Sequence, residues 1–190
     1  AITDRASLQY NMSLHDAVEE ALMGGVSMVL LDESNLGYEA LMREAVRLKI
    51  LCGMYDIPFA VRSNADIADA VDADGIELSA DDISIAEARN KLGSDRFIGF
   101  TVRNAEEAVR AEESGAQFLM CGPVKVMDIN SRDVNVSVDE LKKICACVHI
   151  PVTAYGGIAD VDISELKGTG ICGIGCAMGI FGQNDVRQAA

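Results

Sequence analysis

Two stretches of small apolar residues close on glycine in the last quarter of the chain: residues 151–158, P-V-T-A-Y-G-G-I, and residues 173–179, G-I-G-C-A-M-G. A buried strand that ends in glycine lets a ligand approach the backbone with no Cβ in the way. The free N–H groups of a helix start behind such a turn favour an anion. Gly156, Gly157 and Gly179 are therefore candidate phosphate-binding residues. Charged residues fall where other strands would end: Asp4 and Arg5, Asp32 and Glu33, Arg62 and Ser63, Ser79 with Asp81 and Asp82, Arg103, Lys125 and Arg132. Five of the 16 basic residues lie in this set. Together with the glycine turns they point to a small phosphorylated ligand. Asp81 and Asp82 open a helix-like segment, and are either dipole-stabilised caps or hard ligands for Mg2+ held on phosphate oxygens.

The elements that must position these residues alternate from end to end, with no linker or low-complexity tract. Strand-like apolar runs fall at residues 28–31, 58–61, 75–78, 97–101, 118–121, 151–154 and 173–176, and residues 1–3 complete the first strand. Between them the apolar residues recur with a helical period. Ser13 is an N-cap for a helix that Gly24 and Gly25 stop, and residues 38–55 carry a second helix. Asn104 with Glu107, and Ser137 with Glu140, make capping-box patterns, while Gly93 and Gly115 sit where a helix-ending glycine belongs. Eight strands alternating with helices predict a parallel sheet with right-handed crossovers. In 190 residues they fit a compact (βα)8 TIM barrel, one domain over residues 1–190, better than an open doubly wound sheet. The longest connection, residues 122–135 after the sixth strand, is the expected lid.

The formal net charge of −14 argues against nucleic acid and anionic membrane as partners. No apolar run approaches the ~20 residues that a membrane span requires, and no signal peptide is visible. The six cysteines lie mostly inside apolar runs without a CxxC pair, and read as reduced core thiols in a cytoplasmic protein. Cys145, Cys147 and His149 alternate, but a spacing of two does not place ligands on one helix face and no fourth ligand is close by. Barrels of this size often pair, so a homodimer is an expectation, although no apolar stripe in the sequence fixes an interface.

Five stretches, taken in order, resemble the thiamine-phosphate synthase family over nearly the whole chain. They are A-I-T-D at residues 1–4, D-A-D-G-I-E-L-S-A-D-D at 72–82, I-G-F-T-V-R-N at 98–104, G-A-Q-F-L-M-C-G-P-V at 115–124 and I-P-V-T-A-Y-G-G-I at 150–158. The resemblance implies a (βα)8 barrel that joins hydroxymethylpyrimidine diphosphate to a thiazole phosphate and releases pyrophosphate, with Mg2+ as cofactor on the diphosphate. Charge develops on the leaving group in such a reaction, so cations and metal belong there. By the same resemblance Gly156 and Gly157 match the thiazole-phosphate loop, Asp82 matches one Mg2+ carboxylate, and Thr101 stands in for the serine after the fifth strand.

Elsewhere the sequence departs from the family's pattern. Leu30, Asp32 and Ser34 stand where a Gln, an Arg and a Lys are expected, and Arg62 and Ser63 replace an Asn-Asp pair. Ser79 and Ala80 replace a Gly and a Gln, residues 127–130 lack the Thr-x-Thr-Lys segment, and Met178 replaces a serine near Gly179. The thiazole-phosphate end is kept and the pyrimidine-diphosphate end is eroded. Losing one preorganised donor can cost ~10²–10³ in rate. Lys125, Arg132, Arg62 and Arg103 would have to rebuild the diphosphate site. With Thr101, Lys125, Arg62 and Arg103 are the candidate catalytic residues. Three readings follow: a divergent synthase, a non-catalytic paralogue that binds a phosphorylated thiazole, and a thiazole tautomerase-like isomerase. The tautomerase branch uses a His after the sixth strand. Pro123 stands there in this chain, so Glu77, Asp128 or Cys121 would have to move the proton.

Overall fold

Apolar runs too short for helices and bounded by turn residues become strands, and in the computed structural model seven are found among the described residues. They are β1 (Val29–Leu31), β2 (Phe59–Arg62), β3 (Gly75–Leu78), β4 (Phe97–Val102), β5 (Phe118–Cys121), β6 (Val152–Tyr155) and β7 (Gly173–Gly175). The helices are α1 (Leu14–Gly24), α2 (Tyr38–Met54), α3 (Ala65–Ala70), α4 (Ile85–Leu92), α5 (Ala105–Glu113), α6 (Val138–Cys147), α7 (Ile163–Leu166), α8 (Met178–Phe181) and α9 (Val186–Ala189). The structure describes residues 1–9, 12–125, 135–158 and 162–190. Among them no helix is long and apolar enough to cross a membrane. The chain forms two compact units: Ala1–Glu77 with Asn90–Phe97 and Ala177–Ala190, and Leu78–Arg89 with Ile98–Cys176.

In the first unit β1 pairs in parallel with β2, and β2 with β3, so that Arg62 lies opposite Glu77 in register. β1 and the first three residues of β2 are buried throughout, as strands covered on both faces must be. The first strand expected at residues 1–3 is reduced to one isolated bridge, Ile2 to Leu30, flanked by Thr3 N–H to Leu30 O and Leu30 N–H to Ala1 O. Among the described residues no second bridge beside this one extends the pairing into a ladder. The Ser13 hydroxyl accepts the Asp16 N–H to cap α1, and Gly25 ends the helix at φ +106°. Gly24 serves close approach: a Cβ there would lie 2.4 Å from Arg187 O in α9. The outer side of α2 leaves Tyr38, Val46, Ile50 and Met54 exposed. These residues are spaced by four or eight.

In the second unit β4 to β7 pair in parallel in chain order. Asn104 Oδ1 accepts the Glu107 N–H, and Glu107 returns by accepting the Arg103 N–H at 2.7 Å, closing the box one residue before the cap. The Ser137 hydroxyl caps α6 through the Glu140 N–H, but Glu140 itself accepts the Ala105 N–H and so ties the start of α6 to the start of α5. Gly115 has φ +99°, a left-handed conformation that costs glycine little.

Candidate functional site

In the first unit the site is built around one guanidinium. Arg62 ends β2, where its Nε donates to Glu77 Oε2 at 2.6 Å and its Nη1 to Asp32 Oδ2 at 2.7 Å. Glu77 is only 1% exposed, and a carboxylate that deep is tolerated only when paired. Parallel register supplies the partner, because Glu77 and Arg62 are direct neighbours across β2 and β3. Asp32 follows β1, with its N–H donating to the Thr3 hydroxyl at 2.9 Å. Beside it Glu33 accepts the Arg5 N–H at 3.0 Å, and the Arg5 guanidinium reaches Glu44 at 3.4 Å. Burial pushes the Glu33 carboxyl above its usual range, against the lowering effect of the Arg5 N–H, the Thr3 hydroxyl and the Arg5 charge. Asp32, Glu33, Ser34, Tyr38, Arg62 and Ser63 line a cavity of about 530 Å³.

In the second unit two glycine-bearing turns are pressed together. After β6, Gly156 and Gly157 take φ +91° and +60°. A Cβ on Gly156 would lie 2.6 Å from the Cβ of Pro123, and one on Gly122 would lie 2.4 Å from Tyr155 O. The Val124 N–H donates to Tyr155 O at 2.9 Å, and the Lys125 N–H to Gly156 O at 3.0 Å, so the loop leaving β5 is sewn to the turn leaving β6. Lys125 Nζ stands 3.5 Å from Asp162. Both border a cavity of about 410 Å³ with Val124, Val136, Ser137 and Ile158. Thr101 lies in β4 opposite Met120 of β5. Arg103 is exposed just after that strand.

Asp82 turns back on the end of β3: its Oδ2 accepts both the N–H and the hydroxyl of Ser79, at 2.7 and 2.8 Å. Among the described residues no three His, Cys, Asp or Glu side chains form a metal-ligating group. The one Asp82 oxygen is already engaged by Ser79.

The sequence reading set Arg5, Arg62 and Lys125 out as cations for an anion. Each meets a carboxylate in this structure, because neighbouring strand ends carry acids as well as bases. Arg132, Asp128, residues 127–130 and most of the lid at 122–135 lie outside the described residues. Gly156 and Gly157 fall in the second unit and Gly179 in the first, within α8. Helix starts were expected behind both glycine stretches; the helices there, α7 and α8, have four residues each, too short to gather much dipole. Cys121, a candidate proton carrier, is fully buried, and burial pushes its thiol up to about 12. The sequence points to Glu77 only as a proton carrier and offers no signal for Glu44. The one signal for Glu77 was an acid inside the otherwise apolar run G-I-E-L.

Comparison with known proteins agrees with this arrangement of elements. A family described as thiamine monophosphate synthase matches residues 1–180. The thiamine-phosphate synthase of Clostridium acetobutylicum is 34% identical over 189 residues, covering 100% of this chain and 89% of the relative. That of Fusobacterium nucleatum is 34% identical over 175 residues, 92% of this chain and 85% of the relative. Among solved structures, thiamine phosphate pyrophosphorylase from Pyrococcus furiosus superposes with a TM-score of 0.88 at 34% identity, covering 99% of this chain and 89% of that one. On these matches the chain belongs to the thiamine monophosphate synthase family.

Proposed function

We propose that this chain is a divergent member of its family that holds a phosphorylated thiazole, or a close phosphorylated heterocycle, at the turn after β6. Coupling that ligand to hydroxymethylpyrimidine diphosphate, with release of pyrophosphate, is slow or absent in this reading. The observation that carries it is the pairing of Arg62 with both Asp32 and Glu77. A diphosphate leaving group needs cations preorganised toward it, and this cation is already held by two carboxylates. The reading is supported at the turn after β6 by the left-handed Gly156 and Gly157, a conformation in which a turn can present N–H groups to an anion.

The working synthase is the second reading. It is favoured by near full-length identity to relatives named as that enzyme, and by Lys125, Arg103 and Thr101 at the ends of β5 and β4. In either reading we take the strands to close as a (βα)8 barrel, one domain, in a cytoplasmic protein that pairs as a homodimer. Mg2+ would arrive on the substrate's diphosphate, with Asp82 its one carboxylate, as the resemblance implies.

Isothermal titration with thiazole phosphate, then with hydroxymethylpyrimidine diphosphate plus Mg2+, tests the proposal alongside a pyrophosphate-release assay. The expected result is binding of the first ligand, little of the second and little pyrophosphate. Turnover at a rate comparable to the Clostridium acetobutylicum relative, run side by side, would overturn it in favour of the second reading. Failure of thiazole phosphate to bind would overturn both.

A further inference from the structure

The cavity at the ends of β1 and β2 has an uncommon sign of charge for a place built around an arginine. Arg62 sits between Asp32 and Glu77, and Arg5 between Glu33 and Glu44. Glu44 is shared with Arg47, and the charged residues that line the cavity itself are Asp32, Glu33 and Arg62, two carboxylates to one guanidinium. Asp32 accepts Arg62 with Oδ2 alone, and among the described residues its Oδ1 has no hydrogen-bond partner. Its side chain is 25% exposed, so it is partly desolvated yet open to the cavity it lines. The other walls are apolar or neutral: Leu36, Leu41, the half-exposed ring of Tyr38, and Ser34, which is exposed.

We propose that Asp32 is the specificity-determining residue of this cavity. By holding Arg62 and leaving one oxygen open, it makes the cavity accept a planar ring bearing a neutral or cationic donor group, and turn phosphate groups away. A carboxylate oxygen in a partly desolvated place attracts an amidine or amine donor strongly, and an adjacent tyrosine ring suits a flat cation. At about 530 Å³ the space is of the size that holds small molecules. The inference stands apart from the reading above, which places its ligand at the turn after β6, and concerns which charge the cavity at the ends of β1 and β2 accepts.

The test uses the full chain and two probes, benzamidine and inorganic pyrophosphate, titrated calorimetrically without metal into the native protein and two variants. The native protein is expected to bind benzamidine and not pyrophosphate. Asp32→Asn keeps the Asp32 backbone bond to Thr3, frees the guanidinium of one charge, and should weaken benzamidine roughly 10- to 100-fold while pyrophosphate binding appears. Ser34→Lys leaves both ion pairs in place and adds a cation to the same cavity, so it too should gain pyrophosphate, even if Asp32→Asn proves unstable. The proposal is overturned if the native protein binds pyrophosphate as tightly as either variant. Absence of benzamidine binding to the native protein, or benzamidine binding that neither variant changes, would overturn it as well. Thiazole phosphate titrated into the same three proteins separates the two readings. Its loss from the native protein defeats the proposed function, whereas unchanged probe selectivity in the variants defeats only the assignment of Asp32.

Discussion

Arg62 and Glu77 face each other across β2 and β3 with Nε and Oε2 2.6 Å apart, and the carboxylate is almost wholly enclosed. Burying one charge is costly, and the pair is tolerated because each satisfies the other. Removing a single partner is therefore worse than removing both. Glu77→Gln should lower stability by about 3 kcal/mol, read as a fall in the urea midpoint at constant slope. The double variant Arg62→Met with Glu77→Leu should recover most of that loss. Equal destabilisation by the single and double variants would show that the pairing matters less than the shape of the side chains.

Gly156 is constrained twice, by its φ of +91° and by the Pro123 ring a Cβ would strike. Gly93 shares the left-handed conformation, φ +80°, but a Cβ there would meet nothing within 4 Å. Gly93→Ala should cost about 1 kcal/mol, the conformational penalty alone. Gly156→Ala should cost clearly more and abolish thiazole phosphate binding, because the backbone must move to relieve the contact. Thermal melts of the two variants and one titration decide it. If the two alanines cost the same and binding survives, the turn is not shaped by Pro123.

The strands and caps were legible because they rest on local chemistry. The runs at 75–78 and 118–121 match β3 and β5 to the residue, and Ser13, Asn104 and Ser137 cap the helices their spacing announced. The site was less legible. Arg62 reads as a cation awaiting an anion until register sets Glu77 opposite it, and register is a property of two distant segments. Likewise Gly122 and Gly156 look like independent turn glycines, and only the fold shows each shaped by the other turn. Residues 1–3, with β-branched Ile2 and Thr3, read as a strand, yet they pair through the single bridge of Ile2 to Leu30.

Burial decides which thiols react. Cys121 and Cys52 are fully buried, and each has its thiol pushed up to about 12, chiefly by loss of hydration. At about pH 8 only about one such group in ten thousand would be a thiolate, whereas Cys172 is exposed. Brief treatment with iodoacetamide, read by peptide mass spectrometry, should label Cys172 first and leave Cys52 and Cys121 unmodified until urea is added. Rapid native labelling of Cys121 would revive it as a proton carrier at the end of β5.

Glu33 titrates against the fold. Burial raises its pKa, with the Arg5 N–H, the Thr3 hydroxyl and the Arg5 charge opposing. A carboxyl whose folded value is raised favours the folded state most when protonated. Its contribution is fully present below the unfolded value and is lost as pH rises through the folded one. Asp72, held low chiefly by its hydrogen bond from Arg96, runs the other way and contributes above the ordinary carboxylate range. Glu33→Gln keeps an acceptor for the Arg5 N–H and removes only the first of these dependences. The melting temperature of the variant minus that of the native protein should therefore climb as pH rises above the ordinary carboxylate range and level off once Glu33 is ionised in the folded protein. The Asp72 effect cancels in that difference, being common to both proteins. A difference that stays flat across the range would mean that the native protein offsets the burial of Glu33 completely, leaving Arg5 as a true counter-ion and not a partial one.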